Sequence, residues 1–364
     1  MSLSAKNKYY LKRILPFGII WLFISWAFLW TEYAILGDGS NTPESAIRIT
    51  PIIVLFASTS IFFIGCFVGV IEVFYINNLF TNKSFPEKFF GKFFLYGLIM
   101  FILIFVFYML AASIEMKASV FSKAVWNQYL IFFYSITHIS TGIQLLFSLM
   151  ASLLYAEISE NIGQNILYNF FTGRYHKPVD ENRIFMFVDM KDSTTIAEKL
   201  GHKMYFKLLR DYYQSFSDAI LKNYGVVYQY VGDEIVITWK LNTGLKDNHC
   251  IKCFFDMKIA LQKQKNYFQK KYNFIPDFKA ALHFGQVTAG EIGALKKDIF
   301  FTGDVLNTTA RILSYTNTYN ADLLISENSI KKLSLGERYK VINKGQHQLK
   351  GKEQPITIYE IKKV

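Results

Sequence analysis

The chain has few cysteines and no concentrated run of basic residues. Three cysteines, Cys66, Cys250 and Cys253, are too few for a disulfide framework, so a reducing cytoplasm suits the polar part of the chain. The net charge of +12 is dispersed, without five or six consecutive lysines or arginines and without a zinc-finger or RNA-binding signature. The composition therefore argues against nucleic acid as a partner and leaves membrane surfaces or polyanionic small substrates.

Long hydrophobic stretches are confined to the N-terminal part of the chain. Hydrophobic residues make up 52% of the 364 residues. Four segments, 14–36, 51–76, 92–114 and 128–154, reach the roughly 20 apolar residues that a membrane-spanning helix needs. The first segment lacks a small-residue cleavage site and is too long for a cleavable signal peptide. The sequence therefore predicts an all-α membrane domain over residues 1–155.

Basic residues before and between these segments indicate an orientation. The first outer loop carries only Arg48 against Asp38 and Glu44. Lysine and arginine are enriched before the first segment and between the second and third, at Lys6, Lys8, Lys12, Arg13, Lys83, Lys88 and Lys92. By the positive-inside rule, both termini lie in the cytoplasm. We therefore expect a multi-pass protein of the inner (plasma) membrane, with the lipid bilayer as a partner and the polar half cytoplasmic.

Ionisable side chains are sparse within the apolar segments. Glu32 and Glu72 lie near segment ends, where we interpret them as interfacial. His138 lies inside the fourth segment and suits either a cofactor ligand or proton switch, or a hydrogen bond to another helix. No second histidine in another segment supports a haem site.

Residues 156–181 connect the apolar half to the polar half. Ile158, Ile162 and Ile166 recur at helical spacing, and Gly173 and Pro178 then break the pattern. This pattern predicts a signalling helix followed by a linker, with a simple tether as the alternative.

Strands and helices alternate from residue 182 to 364. The predicted helices cover 193–222 and 248–272, and a third starts near 304. The predicted strands are 183–189, 225–231, 234–240, "DFKAALHFG" before a glycine-rich turn "GQVTAGEIG", "DLLIS", and a closing hairpin "YKVINKGQHQLKGKEQPITIYEI". This order predicts an α+β sandwich with a sizeable core.

Two carboxylates stand at the ends of apolar strands. Asp189 ends "IFMFVD", and Asp233 lies in the tight turn of "YVGDE". If the strands are neighbours, the carboxylates meet at one sheet edge and repel each other unless a divalent cation lies between them. Mg²⁺ or Mn²⁺ suits such oxygens, and two ions about 4 Å apart would act on both sides of a displacement at phosphorus. Two independent strand-end aspartates are the alternative.

A third segment favours the metal site. "GDVLNTTARI" places Asn307 and Arg311 four residues apart, on one helix face. A guanidinium there could neutralise charge on a phosphoryl group, and the asparagine could hold a ribose. Together with "FVDMKDST", "YVGDE", "ALHFGQVTAGEIG" and "HQLKGKEQPITIYEI", this segment resembles the class III nucleotidyl cyclases, the adenylyl and guanylyl cyclases, over residues 180–364.

The resemblance implies a fold and an activity. The fold is an α+β cyclase homology domain, a ferredoxin-like palm-type sandwich over 182–364, preceded here by the four-helix transmembrane region. The activity is conversion of a nucleoside triphosphate to a 3′,5′-cyclic nucleotide and pyrophosphate, by in-line attack of the ribose 3′-oxygen on the α-phosphorus. Family membership favours ATP as substrate.

The resemblance also implies roles for individual residues. Asp189 and Asp233 would bind two Mg²⁺ or Mn²⁺ ions per active site, which activate the 3′-hydroxyl and hold the triphosphate. Arg311 would stabilise the transition state, Asn307 would orient the ribose, and Lys350 would meet the β- and γ-phosphates. Because the two aspartates come from one domain and Asn and Arg from another, the chain should act as a homodimer.

Departures from the family pattern concern the base. Gln229 and Phe300 occupy the positions where adenylyl cyclases usually carry Lys and Asp or Thr, and the guanine-reading Glu and Cys pair is also absent. Tyr228 and Tyr230 lie close by in sequence. A pyrimidine nucleotide cyclase in antiviral signalling, producing cCMP or cUMP, is therefore an alternative substrate assignment.

Two further functions stay open at this point. One is a diguanylate cyclase, suggested by "VGDEIVI", and the other is a non-catalytic membrane receptor with a cyclase-like domain. Asp192 departs from the family pattern as well, and we expect its side chain to cap the following helix.

Overall fold

The structure is a computed structural model that describes residues 4–36, 45–76, 79, 84–163, 167, 169, 172–294 and 297–364. The chain forms two compact units, Lys8–Leu167 and Met1–Asn7 with Tyr168–Val364. Most of the loop between the first two apolar segments, with Asp38 and Glu44, lies outside the described residues, as do Lys83 and Ile166. The predictions that rest on those positions therefore stay predictions.

The unit Lys8–Leu167 is helical. Its helices are α1 (Ala5–Leu36), α2 (Pro51–Ile71) with a π-helical continuation (Glu72–Ile76), α3 (Phe85–Met116), α4 (Lys123–Phe133) and α5 (Ile136–Ile162). Among the described residues, four stretches are long and apolar enough to cross a membrane: Ala5–Ile35, Pro51–Ile76, Pro86–Met116 and Ile136–Asn161. The number of such segments matches the prediction.

The fourth segment begins later than predicted. Ser135 interrupts the stretch 128–154, because its side chain accepts a hydrogen bond from the His138 N–H at 3.3 Å and so caps a new helix, α5. Residues before Ser135 belong to the short helix α4.

Two polar side chains in this unit have partners within the protein. Glu72 is buried, where it pairs with the Lys92 ammonium and accepts a hydrogen bond from the Tyr96 hydroxyl at 2.8 Å. The His138 Nδ1 lies 3.0 Å from the carbonyl oxygen of Phe133, the last residue of helix α4, which agrees with the predicted hydrogen bond to another helix. The two environments depend on helix packing and on the α4–α5 turn, which hydropathy does not report.

The second unit is built on one eight-stranded sheet. Antiparallel pairs dominate, and β4 with β6 is the parallel pair. The strands run in the order β2-β3-β1-β4-β6-β8-β7, with β5 paired to β4. They are β1 (Val179–Met190), β2 (Val226–Val231), β3 (Glu234–Lys240), β4 (Phe278–Ile292), β5 (Asp298–Thr302), β6 (Leu323–Ser326), β7 (Tyr339–His347) and β8 (Ile356–Lys363).

The three predicted helices of this unit are present, and the short helices α7 and α11 were not predicted. The helices are α6 (Ser193–Lys222), α7 (Leu241–Leu245), α8 (His249–Lys263), α9 (Lys265–Tyr272), α10 (Asp304–Thr318) and α11 (Glu327–Ile330). The predicted helix 248–272 is divided into α8 and α9. The glycine-rich segment predicted as a turn is instead the second half of strand β4. Its Gly285 serves close packing, since a Cβ there would lie 2.5 Å from Cγ2 of Val305 on α10.

The sheet has two faces with different coverings. We call the first the helix-covered face, because α6, α8 and α9 pack on it, and the second the site face, where α10 packs. Alternate residues of β1 separate cleanly between them, as a strand period of two requires. The helix-covered face takes Ile184, Met186, Val188 and Met190, and the site face takes Phe185 and Phe187.

Candidate active site

Asp189 lies at the end of β1, in register with Glu234 on β3 and Lys279 on β4. By alternation along β1 it belongs to the site face. Asp233 lies in the two-residue turn that joins β2 to β3, where Val231 pairs with Glu234. Gly232 has φ +62° in this turn, a conformation that glycine adopts without strain. The structure thus brings together the two carboxylates that the sequence singled out.

The electrostatics of this corner are strongly negative. Burial, followed by the charge of Asp233, raises the pKa of Asp189, and the Lys279 ammonium 3.3 Å from Asp189 Oδ2 opposes that shift. Burial and then the charges of both aspartates raise the pKa of Glu234 to about 7. Two adjoining, part-buried carboxylates of this kind fit a hard divalent cation.

Within the described part of the chain, no group of three or more His, Cys, Asp or Glu side chains is placed to hold a metal. The aspartate pair would therefore leave coordination positions for water and phosphate oxygens, as Mg²⁺ sites at nucleotides commonly do.

Two residues that sequence reasoning missed support the aspartate pair. Tyr213 of α6 donates a hydrogen bond to the Gly232 carbonyl oxygen at 2.8 Å and so fixes the turn that carries Asp233. Lys279 lies between Asp189 and α10, because its ammonium also donates to Asn317 Oδ1 at 2.7 Å. In the sequence, nothing distinguishes Tyr213 from the other apolar residues of the predicted helix. Lys279 interrupts an apolar strand, and that charge is a signal that the sequence does contain.

Arg311 and Lys350 lie near each other at a different place on the site face. A Cβ added to Gly351 would be 3.5 Å from Arg311 Nη2, so the guanidinium covers the loop that carries Lys350. The Lys352 ammonium pairs with Asp304 at the start of α10 and ties this loop to the helix. Asn307 lies one turn before Arg311 on α10.

The aspartate pair and the Asn307–Arg311 pair are not brought together within one chain. The Lys279 contact places Asp189 next to Asn317, near the C-terminal end of α10. Asn317 follows Arg311 by a rise of about 9 Å along the helix, and Asn307 by about 15 Å. One chain therefore presents two separate parts of the predicted site.

The two candidate base-reading residues are exposed. Gln229 lies on β2 at the sheet edge, and Phe300 on β5 is 46% exposed. Asp192 does not act as predicted: it precedes α6 at φ +55°, but its side chain makes no capping hydrogen bond. In that left-handed conformation the residue shapes the turn through its backbone, and its carbonyl accepts from the Ile196 N–H at 3.0 Å.

Comparison with known proteins agrees with this arrangement. Residues 175–363 match the family model of the adenylate and guanylate cyclase catalytic domain. Adenylate cyclase 2 of Rhizobium meliloti (strain 1021) is 34% identical over 204 residues, 56% of this chain and 56% of the relative. An adenylate cyclase of Anabaena cylindrica is 27% identical over 49% of this chain and 36% of its own length. The chain thus spans about half or less of the length of these relatives.

The fold has solved counterparts as well. The structure of a bacterial light-regulated adenylyl cyclase superposes with a TM-score of 0.52 at 20% identity, covering 60% of this chain and 64% of that one. The chain belongs to the adenylate and guanylate cyclase catalytic domain family. The resemblance noted in the sequence and the predicted fold class are confirmed.

Proposed function

We propose that the protein is a membrane-bound nucleotidyl cyclase that converts ATP to 3′,5′-cyclic AMP and pyrophosphate. The observation that carries this proposal is the placement of Asp189 with Asp233 and of Asn307 with Arg311 as two complementary half-sites on one face of the cyclase-family sheet. The names of the relatives favour adenine over other bases. The proposal requires the apolar half only to attach the protein to a bilayer.

The aspartates form the metal half-site. Asp189 and Asp233 would hold two Mg²⁺ or Mn²⁺ ions, which supply positive charge to the triphosphate and to the attacking oxygen when bound. When a metal binds, the Lys279 ammonium beside Asp189 would either move aside or neutralise the carboxylate charge that the metal does not compensate.

The second half-site acts on the ribose and phosphates. Asn307 holds the ribose so that its 3′-oxygen faces the α-phosphorus. The 3′-O–P bond forms, the bond to the β-phosphate oxygen breaks, and the hydroxyl proton passes to water. Arg311 donates hydrogen bonds to the α-phosphoryl oxygens, where charge develops, and Lys350 neutralises the departing pyrophosphate.

The separation of the half-sites supports a homodimer. Asn307 and Arg311 lie about 15 Å and about 9 Å along α10 from Asn317, the residue that Lys279 joins to Asp189, so Arg311 of one copy would serve the aspartates of another. Exposed apolar side chains support contact with a second copy: Val231, Ile292 and Phe300.

Product analysis tests the proposal. The full chain in nanodiscs is incubated separately with ATP, GTP, CTP and UTP in Mg²⁺ or Mn²⁺, and products are identified by mass. We expect cyclic AMP and pyrophosphate, and none from the matched Asp233→Asn control. Cyclic CMP or UMP would support the pyrimidine alternative, which Gln229 and Phe300 keep open. A cyclic dinucleotide would establish a diguanylate cyclase, and no pyrophosphate from any substrate a non-catalytic receptor.

We also propose that both termini face the cytoplasm, with residues 156–181 transmitting signals from the apolar half. Basic residues near the N-terminal ends of α1 and α3, among them Lys6, Lys8, Lys88 and Lys92, support this orientation. Protease added to intact spheroplasts should spare a C-terminal tag, and lysed spheroplasts should lose it. Cleavage in intact cells would reverse the orientation.

A further inference from the structure

Strand β2 contains a bulge beside a candidate base-reading residue. Val227 pairs with Ile237, and the next pair is Gln229 with Val236, so Tyr228 is an extra residue without a partner on β3. Bulges re-aim side chains and occur often beside active sites.

The bulge decides the face on which Gln229 lies. Val227 packs with the core of the helix-covered face, as does its partner Ile237. In a regular strand, Gln229 would share that face, since side chains alternate with a period of two. The bulge instead pairs Gln229 with Val236, which belongs to the site face.

The Tyr228 side chain reaches from β2 to β5. Its hydroxyl accepts a hydrogen bond from the Phe301 backbone N–H at 3.4 Å, and its ring meets the Phe301 ring edge-on at 5.0 Å. The ring also lies 6.3 Å from that of Phe185 on β1. Tyr228 thus links the strand that carries Gln229 to the strand that carries Phe300.

This link is needed because β2 and β5 have different sheet neighbours. β2 pairs with β3, and β5 pairs with β4, so the described backbone pairing does not set the spacing between Gln229 and Phe300. Phe301 is held from its other side by the Arg183 guanidinium, 4.5 Å from the ring centroid. The Tyr228 contact therefore joins β2 to an anchored residue.

We propose that Tyr228 is a positioning residue for base selection, holding Gln229 and Phe300 at the spacing that one nucleobase fits. The proposal rests on the proposed cyclase function and deepens it, because it names the contact that sets specificity. Tyr228 acts through its neighbours and does not bond the base.

The test compares selectivity among the four nucleoside triphosphates. For Tyr228→Phe, which removes only the hydroxyl, we expect the ratio of kcat/KM for the best substrate to that for the second best to fall roughly fivefold to tenfold, the effect of one lost hydrogen bond. The kcat for the best substrate should stay within about twofold. Phe301→Leu, which removes the partner ring and keeps Tyr228, should lower the same ratio.

Tyr230→Phe is the matched control. Tyr230 is two residues away on β2, and its ring lies 4.6 Å from that of Tyr213 on the helix-covered side. Its selectivity ratio should equal that of the wild type. An unchanged ratio in Tyr228→Phe, an equal fall in Tyr230→Phe, or a uniform loss across all four substrates would overturn the proposal. A wild-type chain that forms no cyclic nucleotide would overturn the proposed function too, and it is recognised before any variant is made.

Discussion

The helix-covered face and the site face of the cyclase sheet differ in what they bury. The helix-covered face packs against α6, α8 and α9 through fully buried apolar residues such as Met186, Phe216 and Phe254. The site face carries α10 and a smaller core, and it also holds Asp189, Lys279 and His283. One face thus supplies most of the hydrophobic stabilisation, and the other has polar groups available for chemistry. Substitutions on the two faces should therefore separate stability from activity.

The largest effect should come from breaking the site face at its two half-sites. Asp189→Ala and Arg311→Ala should each lower kcat about 100-fold or more, since each removes charge that acts in the transition state. Mixed in equal amounts, they should recover about a quarter of the wild-type rate, because half of randomly paired dimers have one intact site. Cyclic nucleotide formation measures both. Heterodimers shown by pull-down yet inactive would contradict the shared site.

A core substitution on the helix-covered face should lower stability and leave activity nearly unchanged. Phe216→Ala should lower the free energy of unfolding by about 3–5 kcal/mol, because Phe216 is fully buried and leaves a cavity. Activity per folded molecule should stay within about twofold. Thermal unfolding followed by residual activity measures both quantities. Phe216→Leu, with a smaller cavity, is the graded control, and a kcat loss in the fully folded variant would show that the faces are not independent.

The site face should also respond to pH through His283, which is buried beneath α10 with its Nδ1 2.6 Å from Ser326 Oγ. Burial, and then the charge of Lys352, lowers the pKa of His283 to about 4, although Asp304 opposes the shift. The unfolded chain therefore binds this proton more readily. Its contribution to stability is present above pH 6.5 and declines as pH falls toward 4.

This difference amounts to roughly 2 kcal/mol between pH 7 and pH 5. Melting temperatures measured across that range should fall less in His283→Gln than in the wild type. If the melting temperatures of the two proteins fell equally with pH, the buried His283 would not contribute to the pH dependence of stability.

The smallest effect should come from the one described tyrosine of α6 that reaches the aspartate turn. Tyr213→Phe loses the hydrogen bond to the Gly232 carbonyl, worth about 1 kcal/mol, and should loosen the turn that carries Asp233. We expect a severalfold rise in the Mg²⁺ concentration for half-maximal activity, with little change in melting temperature. Tyr267→Phe on α9, which loses a hydrogen bond to Asp211 instead, is the comparison. An unchanged metal requirement would mean that the turn holds its shape alone.

The sequence predicted the structure correctly where short-range patterns determine it. The β1 alternation, the tight turn at Gly232 and the helix carrying Asn307 and Arg311 each follow from short-range rules, and the structure places all three as expected. The turn predicted at Gly285 was wrong, because glycine occurs both in turns and where two elements pack closely. The contact with Val305 on the facing helix shows that Gly285 serves close packing.

Long-range contacts account for what the sequence did not predict. The bulge at Tyr228 has no local signature, and the Tyr228 side chain contacts Phe301 on a strand distant in sequence. The burial of Glu72 likewise depends on Lys92 and Tyr96, which lie on the next helix. Tyr213 bonds a backbone carbonyl, and that partner cannot be read from residue types.

Lys279 gives the aspartate corner a resident counter-ion. Its ammonium is 3.3 Å from Asp189 Oδ2 and is held in place by Asn317 Oδ1 at 2.7 Å. The ammonium therefore offsets part of the negative charge of the corner. A divalent ion that enters must compete with this amine, which weakens its apparent affinity. The rate of cyclisation would then follow the supply of divalent ions, and replacing Lys279 by a neutral side chain would remove that dependence.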